Sequence, residues 1–298
     1  MRPRHTGPDP VIPDLIARID NEAADGQVAT MPTIVAITDP ADPRIDAYRD
    51  IRERDLVGRD GLFVAEGRVV LAMLIASRAF RPQSLLIAAH RIDALADLIA
   101  PLPADVPVFA VAQAVMDGIA GFPLHRGILA IGRRIDTPDA DTLLGGIAGD
   151  GDLLLLSGIG NHDNMGGLFR NAAAFGARAI LLDSDCCDPL YRKAIRVSVG
   201  AALLVPFARL AREEDPVALL ERYGFAPIAL SPSGATTLAD YRPARRNAVL
   251  LGSEGPGLDP ALLARTTSVR IAMAPGFDSL NVATTGGIVL HHLATRRD

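Results

Sequence analysis

Three segments in the C-terminal half place polar or charged side chains among glycines, each beside a predicted strand. The first segment, "NHDNMGGLFRNAAAFGA", predicts a helix from Met165 to Phe175 that carries Arg170. Asp163 or Asn164 is its expected N-cap, and Gly176 is expected to close it. The arginine side chain suits contact with a ligand at the strand end, and a solvated or acid-paired arginine is the alternative. The apolar spacing predicts three residues that face the core: Leu168, Ala172 and Phe175.

The second segment, "LLGSEGPGLDPALL", surrounds Glu254 with residues of low bulk directly after a predicted buried strand. Glycine lets a backbone approach a ligand closely, so the turn is a candidate binding loop. Asp259 is the expected N-cap of the next helix. The segment lacks the P-loop lysine and the spacing of a dinucleotide fingerprint, and a purely structural turn is the alternative.

The third segment, "IAMAPGFDSLNVATTGGIVLHHL", joins a strand to a loop and then to a helix. Asp278 or Ser279 is the expected N-cap of this helix. Gly286 and Gly287 lie inside it, where each costs about 1 kcal/mol relative to alanine. Another helix, a partner subunit or a ligand must therefore approach this helix closely.

The elements that position these segments predict an α/β fold with a parallel sheet. Continuous apolar runs such as "DLLLLSGI", "RAILLD", "ALLVPF", "APIALS", "AVLLGS" and "SVRIAM" are typical of strands covered on both faces. Ligands bind at the carboxyl ends of such strands. The loops after Leu156, Gly252 and Met273 are therefore the expected site.

The N-terminal half predicts a smaller, separate α/β domain. Residues 1–33 are predicted to be a flexible tail, residues 34–134 a domain, residues 135–150 a linker with the boundary near residue 148, and residues 151–298 the second domain. In the first domain we predict strands at "GLFVAEG", "SLLIAA", "VPVFAV" and "GILAIGRR", with helices at "RVVLAMLIASR" and "RIDALADLIA".

Composition excludes several classes of protein. A formal net charge of −5 argues against a protein that coats nucleic acid indiscriminately. No apolar run is long enough for a transmembrane helix, and "MRPRHTGPDPVIP" does not resemble a signal peptide, so the expected location is the cytoplasm. The only cysteines, Cys186 and Cys187, are adjacent and have no spaced partners, which predicts neither a disulfide scaffold nor a metal site.

Taken together, the three segments resemble the SpoU branch of the SPOUT superfamily, the TrmH-like RNA 2′-O-ribose methyltransferases. The resemblance rests on the order, spacing and content of three motifs, Asn164 to Gly176, Leu251 to Leu258 and Ile271 to Ala283. It extends over residues 150–298. More weakly, "FVAEGRVV" and "HRGILA" resemble the family's N-terminal RNA-binding domain, of the ribosomal-protein-like α/β type.

The resemblance implies a trefoil knot, a homodimer and methyl transfer from S-adenosylmethionine (AdoMet) to a ribose 2′-OH of rRNA or tRNA. It implies that Gly252, Ile271 and Leu280 hold the adenosine part of AdoMet, with added contact from Met273. The catalytic and substrate-positioning residues that it implies are Asn164, Arg170, Glu254, Ser279 and Asn281. The family's serine after Ser-Leu-Asn-Val is replaced by Ala283 here, so a hydroxyl contact is expected to be lost.

The resemblance also implies that Arg170 removes the 2′-OH proton, although a guanidinium is ordinarily a donor and not a base. Stabilising the alkoxide or binding a phosphate are equal alternatives. Arg192, Lys193 and Arg196 have helical spacing and are candidates for RNA binding, as is Arg126, and a solvated surface is the alternative for each. Aromatic residues make up 4% of the chain, which argues against stacking of many splayed bases.

Two other functions compete with RNA methylation. One is an RNA-binding protein on a catalytically inactive SPOUT scaffold, and the retained motif residues argue against it. The other is an unrelated nucleotide-dependent α/β enzyme, which the missing lysine and dinucleotide motif argue against. Binding of AdoMet, or of ATP or NAD, distinguishes the three.

Overall fold

The structure, a computed structural model, describes residues 32–49, 61–120 and 127–296. Contacts divide the chain into two compact units, Met1–Ile135 and Asp136–Asp298. Residues 1–31 of the predicted tail and Arg126 lie outside the described residues.

A five-stranded mixed sheet with the order β1-β4-β3-β5-β2 forms the centre of the first unit. Its strands are β1 (Ile34–Ile37), β2 (Leu62–Glu66), β3 (Phe80–Ala88), β4 (Val108–Val111) and β5 (Ile128–Arg134). β1, β4 and β3 run parallel, whereas β5 is antiparallel to β3 and β2. The α-helices described in this unit are α1 (Arg68–Ala76), α2 (Ala96–Ile99) and α3 (Gln113–Ala120), and a 3-10 helix spans Pro43–Tyr48. The four predicted strands and the first predicted helix are confirmed, whereas β1 and α3 were not predicted.

The predicted helix over residues 91–100 is wrong for most of its length. The chain instead forms two 3-10 turns, Ala89–Arg91 and Asp93–Leu95, before the short α2. The apolar residues recur every three positions, at Ile92, Leu95 and Leu98. A 3-10 turn places residues three apart on one side, so this spacing fits it better than an α-helix.

The second unit contains a seven-stranded sheet with the order β10-β12-β9-β11-β6-β7-β8. All its pairings are parallel, as the apolar runs predict. The strands are β6 (Gly151–Ser157), β7 (Ala179–Leu182), β8 (Phe207–Arg209), β9 (Ala226–Leu230), β10 (Thr236–Thr237), β11 (Arg246–Gly252) and β12 (Thr267–Arg270). The described helices of this unit are α4 (Ala140–Gly145), α5 (His162–Ala174), α6 (Arg192–Val197), α7 (Pro216–Arg222), α8 (Pro260–Ala264) and α9 (Val282–Thr295).

The segment predicted as a linker belongs to the second unit, because the division falls after Ile135. It contains α4, whose N-cap Asp139 accepts a hydrogen bond from the Thr142 backbone N–H at 2.7 Å. Ala140 and Leu144 of α4 are buried in the core. A helix of six residues buries one apolar pair, which is too short a pattern to reveal a helical period in the sequence.

The predicted strand at "ALLVPF" is only partly correct. Ala201–Leu203 forms a 3-10 turn, and the strand β8 begins at Phe207. Val199 and Gly200 both have positive φ, 55° and 84°, and turn the chain between α6 and this segment. The apolar residues 201–203 are buried, so burial rather than strand pairing accounts for the apolar run.

Two predicted helix caps require correction. The N-cap of α5 is Asn161, whose Oδ1 accepts a hydrogen bond from the Asp163 N–H at 2.8 Å, and Asn164 lies inside the helix. The N-cap of α9 is Asn281 rather than Asp278 or Ser279. Gly176, with φ +70°, closes α5, and Asp259 caps α8, both as predicted.

The core face of α5 also differs in one residue. Leu168 and Ala172 are buried as predicted, whereas Phe175 is half-buried and its ring meets the His291 ring edge-on at 5.6 Å. Phe169 is fully buried in its place and packs edge-to-face on Phe207.

Candidate active site at the carboxyl edge of the parallel sheet

A cavity of about 750 Å³ lies at the carboxyl ends of β9, β11 and β12. It is lined by the loops that follow these strands and by the start of α9. This is the edge at which open parallel sheets bind ligands. The four residues proposed to hold a cofactor all line it: Gly252, Ile271, Met273 and Leu280. Three of the proposed catalytic residues line the same cavity: Glu254, Ser279 and Asn281.

The loop after β11 turns back on the strand so closely that residue 252 must be glycine. A Cβ atom on Gly252 would lie 2.3 Å from the Gly257 carbonyl carbon and 2.5 Å from the Leu258 nitrogen. Ser253 and Gly257 form an antiparallel bridge across this turn. The turn therefore brings Glu254 to the rim of the cavity while leaving it exposed.

Asn164, Glu254 and Asn281 form one hydrogen-bonded cluster, although they come from three distant segments. Asn164 Nδ2 donates to Glu254 Oε1 at 2.8 Å, and Asn281 Nδ2 donates to Asn164 Oδ1 at 2.7 Å. Asn281 Nδ2 also lies 3.4 Å from Glu254 Oε1. Asn164 is 6% exposed, so its amide is fixed by these two contacts.

The cluster orients Glu254 for contact with a ligand. Oε1 receives the amide donors, whereas none of the described residues donates to Oε2. A carboxylate oxygen in this position can accept a hydrogen bond from a substrate hydroxyl.

Small residues bring α5 and α9 together and so hold the cluster in register. A Cβ on Gly167 would lie 2.7 Å from Ala283 Cβ, and a Cβ on Gly286 would lie 2.7 Å from Leu168 Cδ2. Asn171 Nδ2 donates to the Ala283 carbonyl at 2.6 Å. Helix α5 is thus the close neighbour that the glycines of α9 require. Ala283 faces Gly167 and does not line the cavity.

Arg170 does not line this cavity. It is exposed on α5 and lines a separate groove of about 590 Å³ between α5 and α9. Thr284, Ile288 and His291 of α9 line the same groove. The Arg170 guanidinium makes no hydrogen bond or ion pair with any residue that the structure describes. Within a single chain Arg170 therefore lies outside the cavity that Glu254, Ser279 and Asn281 line, and its place beside a ligand stays a prediction.

Known proteins are similar to this chain in sequence and in fold. The profile of the SpoU rRNA methylase family matches residues 153–291. An uncharacterised tRNA/rRNA methyltransferase of Mycobacterium tuberculosis is 39% identical over 264 residues, which are 86% of this chain and 90% of that protein. The chain belongs to the SpoU rRNA methylase family. It is an RNA methyltransferase of that family, as the three motifs predicted.

Solved structures share the fold of the SpoU chain. The AdoMet-bound rRNA methyltransferase from Sinorhizobium meliloti has a TM-score of 0.76 at 21% identity and covers 89% of this chain and 99% of its own. The SpoU methyltransferase AviRb from Streptomyces viridochromogenes, in complex with AdoMet, has a TM-score of 0.68 at 20% identity, with coverage of 84% and 95%. At these identities the likeness establishes the α/β fold with its parallel sheet.

Three of the four candidate RNA-binding residues, Arg192, Lys193 and Arg196, lie on α6, beside the start of α5. Lys193 forms an ion pair with Asp163 at 2.6 Å, with both side chains about half exposed, and a pair this exposed is weak. Arg196 is exposed and Arg192 is half-buried. The His162 ring lies 4.5 Å from the Tyr191 ring, and burial, followed by the charge of Lys193, lowers the pKa of His162.

Both cysteines are free thiols near the end of β6. Cys186 Sγ donates to the Leu156 carbonyl at 3.3 Å and accepts from the Ile159 N–H at 3.3 Å. Burial raises the pKa of Cys186 to about 12 and that of Cys187 to about 11. The Cys186 thiol therefore links the loop after β6, and neither thiol is activated as a nucleophile.

Among residues 32–49, 61–120 and 127–296, no group of three or more His, Cys, Asp or Glu side chains is placed to hold a metal ion. None of the helices in those ranges is long and apolar enough to cross a membrane. Three residues at the site, Asn161, Asn171 and Phe277, were not predicted from the sequence. A polar residue seven positions after Asn164, on the same face of α5, is the signal that points to Asn171.

Proposed function

We propose that this SpoU family chain transfers a methyl group from AdoMet to a ribose 2′-OH of structured rRNA or tRNA. One observation carries the proposal. Residues from the three motif segments, Asn164, Glu254 and Asn281, form one hydrogen-bonded cluster, and Glu254 and Asn281 line a single cavity at the carboxyl edge of a parallel sheet.

The cavity fits AdoMet in size and in character. Its volume lies within the range of about 300–1,000 Å³ that is usual for small-molecule sites. Its lining combines apolar side chains such as Ile271 and Met273 with the exposed backbone of the turn after Gly252. The AdoMet-bound neighbours from Sinorhizobium meliloti and Streptomyces viridochromogenes add support for the same donor. No metal is part of the proposed chemistry.

AdoMet supplies an electrophilic methyl group when it is bound. The residues of this chain then have to hold the ribose so that its 2′-oxygen points at that group. Glu254 accepts a hydrogen bond from a ribose hydroxyl through Oε2, while Asn164 and Asn281 keep the carboxylate from rotating. Ser279, on the cavity wall, offers a further hydroxyl contact. Positioning of this kind is a large part of catalysis for a reaction between two bound partners.

We propose that the enzyme is a homodimer in which the groove between α5 and α9 receives a second copy. Ile288 is 39% exposed in this groove, beside the half-buried Phe175. A second copy seated in this groove would bury both side chains. Arg170 lies in this groove and outside its own cavity, so in a dimer it is available to the active site of the partner. There it stabilises the forming alkoxide or binds a phosphate as a guanidinium, or takes the 2′-OH proton if it is held in its neutral form.

The remaining parts of the proposal concern the fold and the setting. As the resemblance to the SpoU family implies, we propose a trefoil knot in the second unit and an RNA-binding role, of ribosomal-protein-like type, for the domain over residues 34–134. Arg192 and Arg196 on α6, with Arg126 and Lys193, are proposed RNA contacts. The cytoplasm is the proposed location, since the matched relatives are bacterial and bacteria make and modify rRNA and tRNA there.

The proposal is tested with the full chain, tritium-labelled AdoMet and RNA from cells that lack the gene. We expect label in nucleotides whose 3′ phosphodiester resists alkali, since a 2′-O-methyl group blocks that cleavage. RNA from cells that carry the gene is the control and should accept little label. Label in a methylated base would contradict the ribose assignment. RNA binding without AdoMet binding would support the inactive-scaffold alternative.

A further inference from the structure

Phe277 is an aromatic side chain that the structure leaves exposed at the active site. It is 66% exposed and lies in the loop between β12 and α9. Six other phenylalanines among the described residues are buried: Phe63, Phe80, Phe109, Phe169, Phe207 and Phe225. A seventh, Phe175, is half-buried. A ligand that covered this ring would remove a large apolar surface from water, which would favour its binding.

The turn around Gly276 sets the backbone conformation at Phe277. Gly276 has φ +82°, a conformation that favours glycine, and the Phe277 N–H donates to the Ala274 carbonyl at 3.2 Å. This turn sets the direction of the chain just before Asn281 caps α9. Phe277 therefore lies four positions before Asn281, which belongs to the hydrogen-bonded cluster.

Phe277 lines the same cavity as Glu254 and Asn281, yet its ring contacts no other described aromatic ring. One face of the cavity is therefore an aromatic surface open to solvent, next to the carboxylate proposed to hold the ribose. A ligand that places a sugar on Glu254 brings the base of the same nucleotide within reach of this surface.

We propose that Phe277 stacks on the base of the nucleotide whose ribose is methylated. The inference rests on the proposed function. A ribose inside a helix cannot reach a cavity in the sheet, so the target nucleotide must leave its stack, as in other enzymes that act on one nucleotide. Phe277 replaces the lost stacking with a ring of its own. Because every base has a π face, this contact selects an unstacked nucleotide rather than a particular base.

The arrangement agrees with the low aromatic content of the chain, 4%. A surface that binds a long single strand needs several rings in succession. A single ring beside the catalytic cluster serves one extruded nucleotide.

The first test compares three substitutions in the full-length protein: Phe277→Ala, Phe277→Leu and Phe277→Tyr. We expect Phe277→Ala and Phe277→Leu to lower kcat/KM for RNA by roughly 5- to 150-fold, the equivalent of about 1–3 kcal/mol for one stacked base. Phe277→Tyr keeps a planar ring and should stay within about threefold of wild type. Leu204→Ala, which truncates another exposed apolar residue, is the control and should leave kcat/KM unchanged.

The dissociation constant for AdoMet, measured by calorimetry, separates stacking on the base from contact with the methyl donor. We expect it to stay within about twofold of wild type in all three Phe277 variants. A fall in AdoMet affinity that matches the fall in kcat/KM would assign the ring to the donor and overturn the proposal. Equal activity of Phe277→Leu and Phe277→Tyr would do the same, since it would show that planarity is not needed.

Once the target is mapped, an RNA with an abasic ribose at that position gives a second test. This RNA keeps the 2′-OH and removes the base. Phe277→Ala should then cost nothing further, because the stacking partner is already gone. An equal cost with both RNAs would overturn the proposal. If the wild-type enzyme neither binds AdoMet nor methylates RNA, the proposed function itself fails, which differs from an active enzyme that is indifferent to Phe277.

Discussion

Asn281 and Asn164 join the start of α9 to α5 through one hydrogen bond, 2.7 Å from Nδ2 to Oδ1. The same Asn281 side chain uses its Oδ1 to cap α9, accepting from the Ala283 and Thr284 N–H groups at 2.9 and 3.2 Å. One asparagine therefore fixes both the direction of the helix and the orientation of the amide that holds Glu254.

We predict that Asn281→Ala lowers both stability and turnover, whereas Asn281→Ser lowers turnover alone. Alanine cannot cap α9, which costs about 1–2 kcal/mol of unfolding free energy. Serine restores the cap but has no amide donor for Asn164. Denaturant unfolding and RNA methylation measured on the same samples check this. Full turnover in Asn281→Ser would show that the amide does not orient the cluster.

We predict that Arg170→Ala folds and binds AdoMet normally, because Arg170 lies outside the cavity of its own chain. The variant should lose most RNA methylation, because a charged group near the ribose acts mainly in the transition state. Glu254→Gln should be similarly inactive. Mixing the two variants after reversible dissociation should restore about a quarter of wild-type activity. Half of the dimers are then mixed, and each of these has one intact site if Arg170 acts across the interface. No recovery on mixing would mean that Arg170 serves its own chain.

We predict that Gly167→Ala destabilises the protein by about 1–3 kcal/mol through overpacking. Its Cβ would lie 2.7 Å from Ala283 Cβ, so α5 and α9 must separate. Gly118→Ala in α3 is the matched control, since nothing lies within 4 Å of a Cβ there. That change should stabilise the protein by about 0.5–1 kcal/mol, the usual gain from removing a helical glycine. Equal effects at both positions would contradict the packing argument.

We predict that the two cysteines react slowly with thiol reagents in the folded protein. Burial raises the pKa of Cys186 from 9.0 to about 12 and that of Cys187 to about 11, so at pH 8 the thiolate fraction falls by roughly 100- to 1,000-fold relative to the unfolded chain. The stability linked to these thiols is complete below pH 9 and is lost as pH rises through the folded pKa values. Reaction rates of native and denatured protein at pH 8 check this. Similar rates in the two states would refute it.

The sequence allowed the parallel sheet, its carboxyl edge and most lining residues to be predicted, because apolar strands and glycine turns are local signals. It did not reveal that Arg170 faces away from the cavity, because that depends on the roll of α5, which Gly167 and Asn171 set against α9. The caps at Asn161 and Asn281 were missed because several nearby residues are equally good caps, and tertiary contacts decide among them. Phe277 was not predicted because no sequence pattern indicates that a single aromatic ring is exposed.

Asn281 both caps α9 and donates a hydrogen bond to Asn164, and this restricts the mutations that its codon tolerates. One-base changes in an asparagine codon yield Asp, Ser, Thr, His, Lys, Tyr or Ile, and none of these has an acceptor and an amide donor on separate atoms of so short a side chain. A point mutation at this position therefore breaks at least one of two linkages. The two hydrogen-bonding roles of the side chain therefore restrict which residues can replace Asn281, whichever RNA the enzyme methylates.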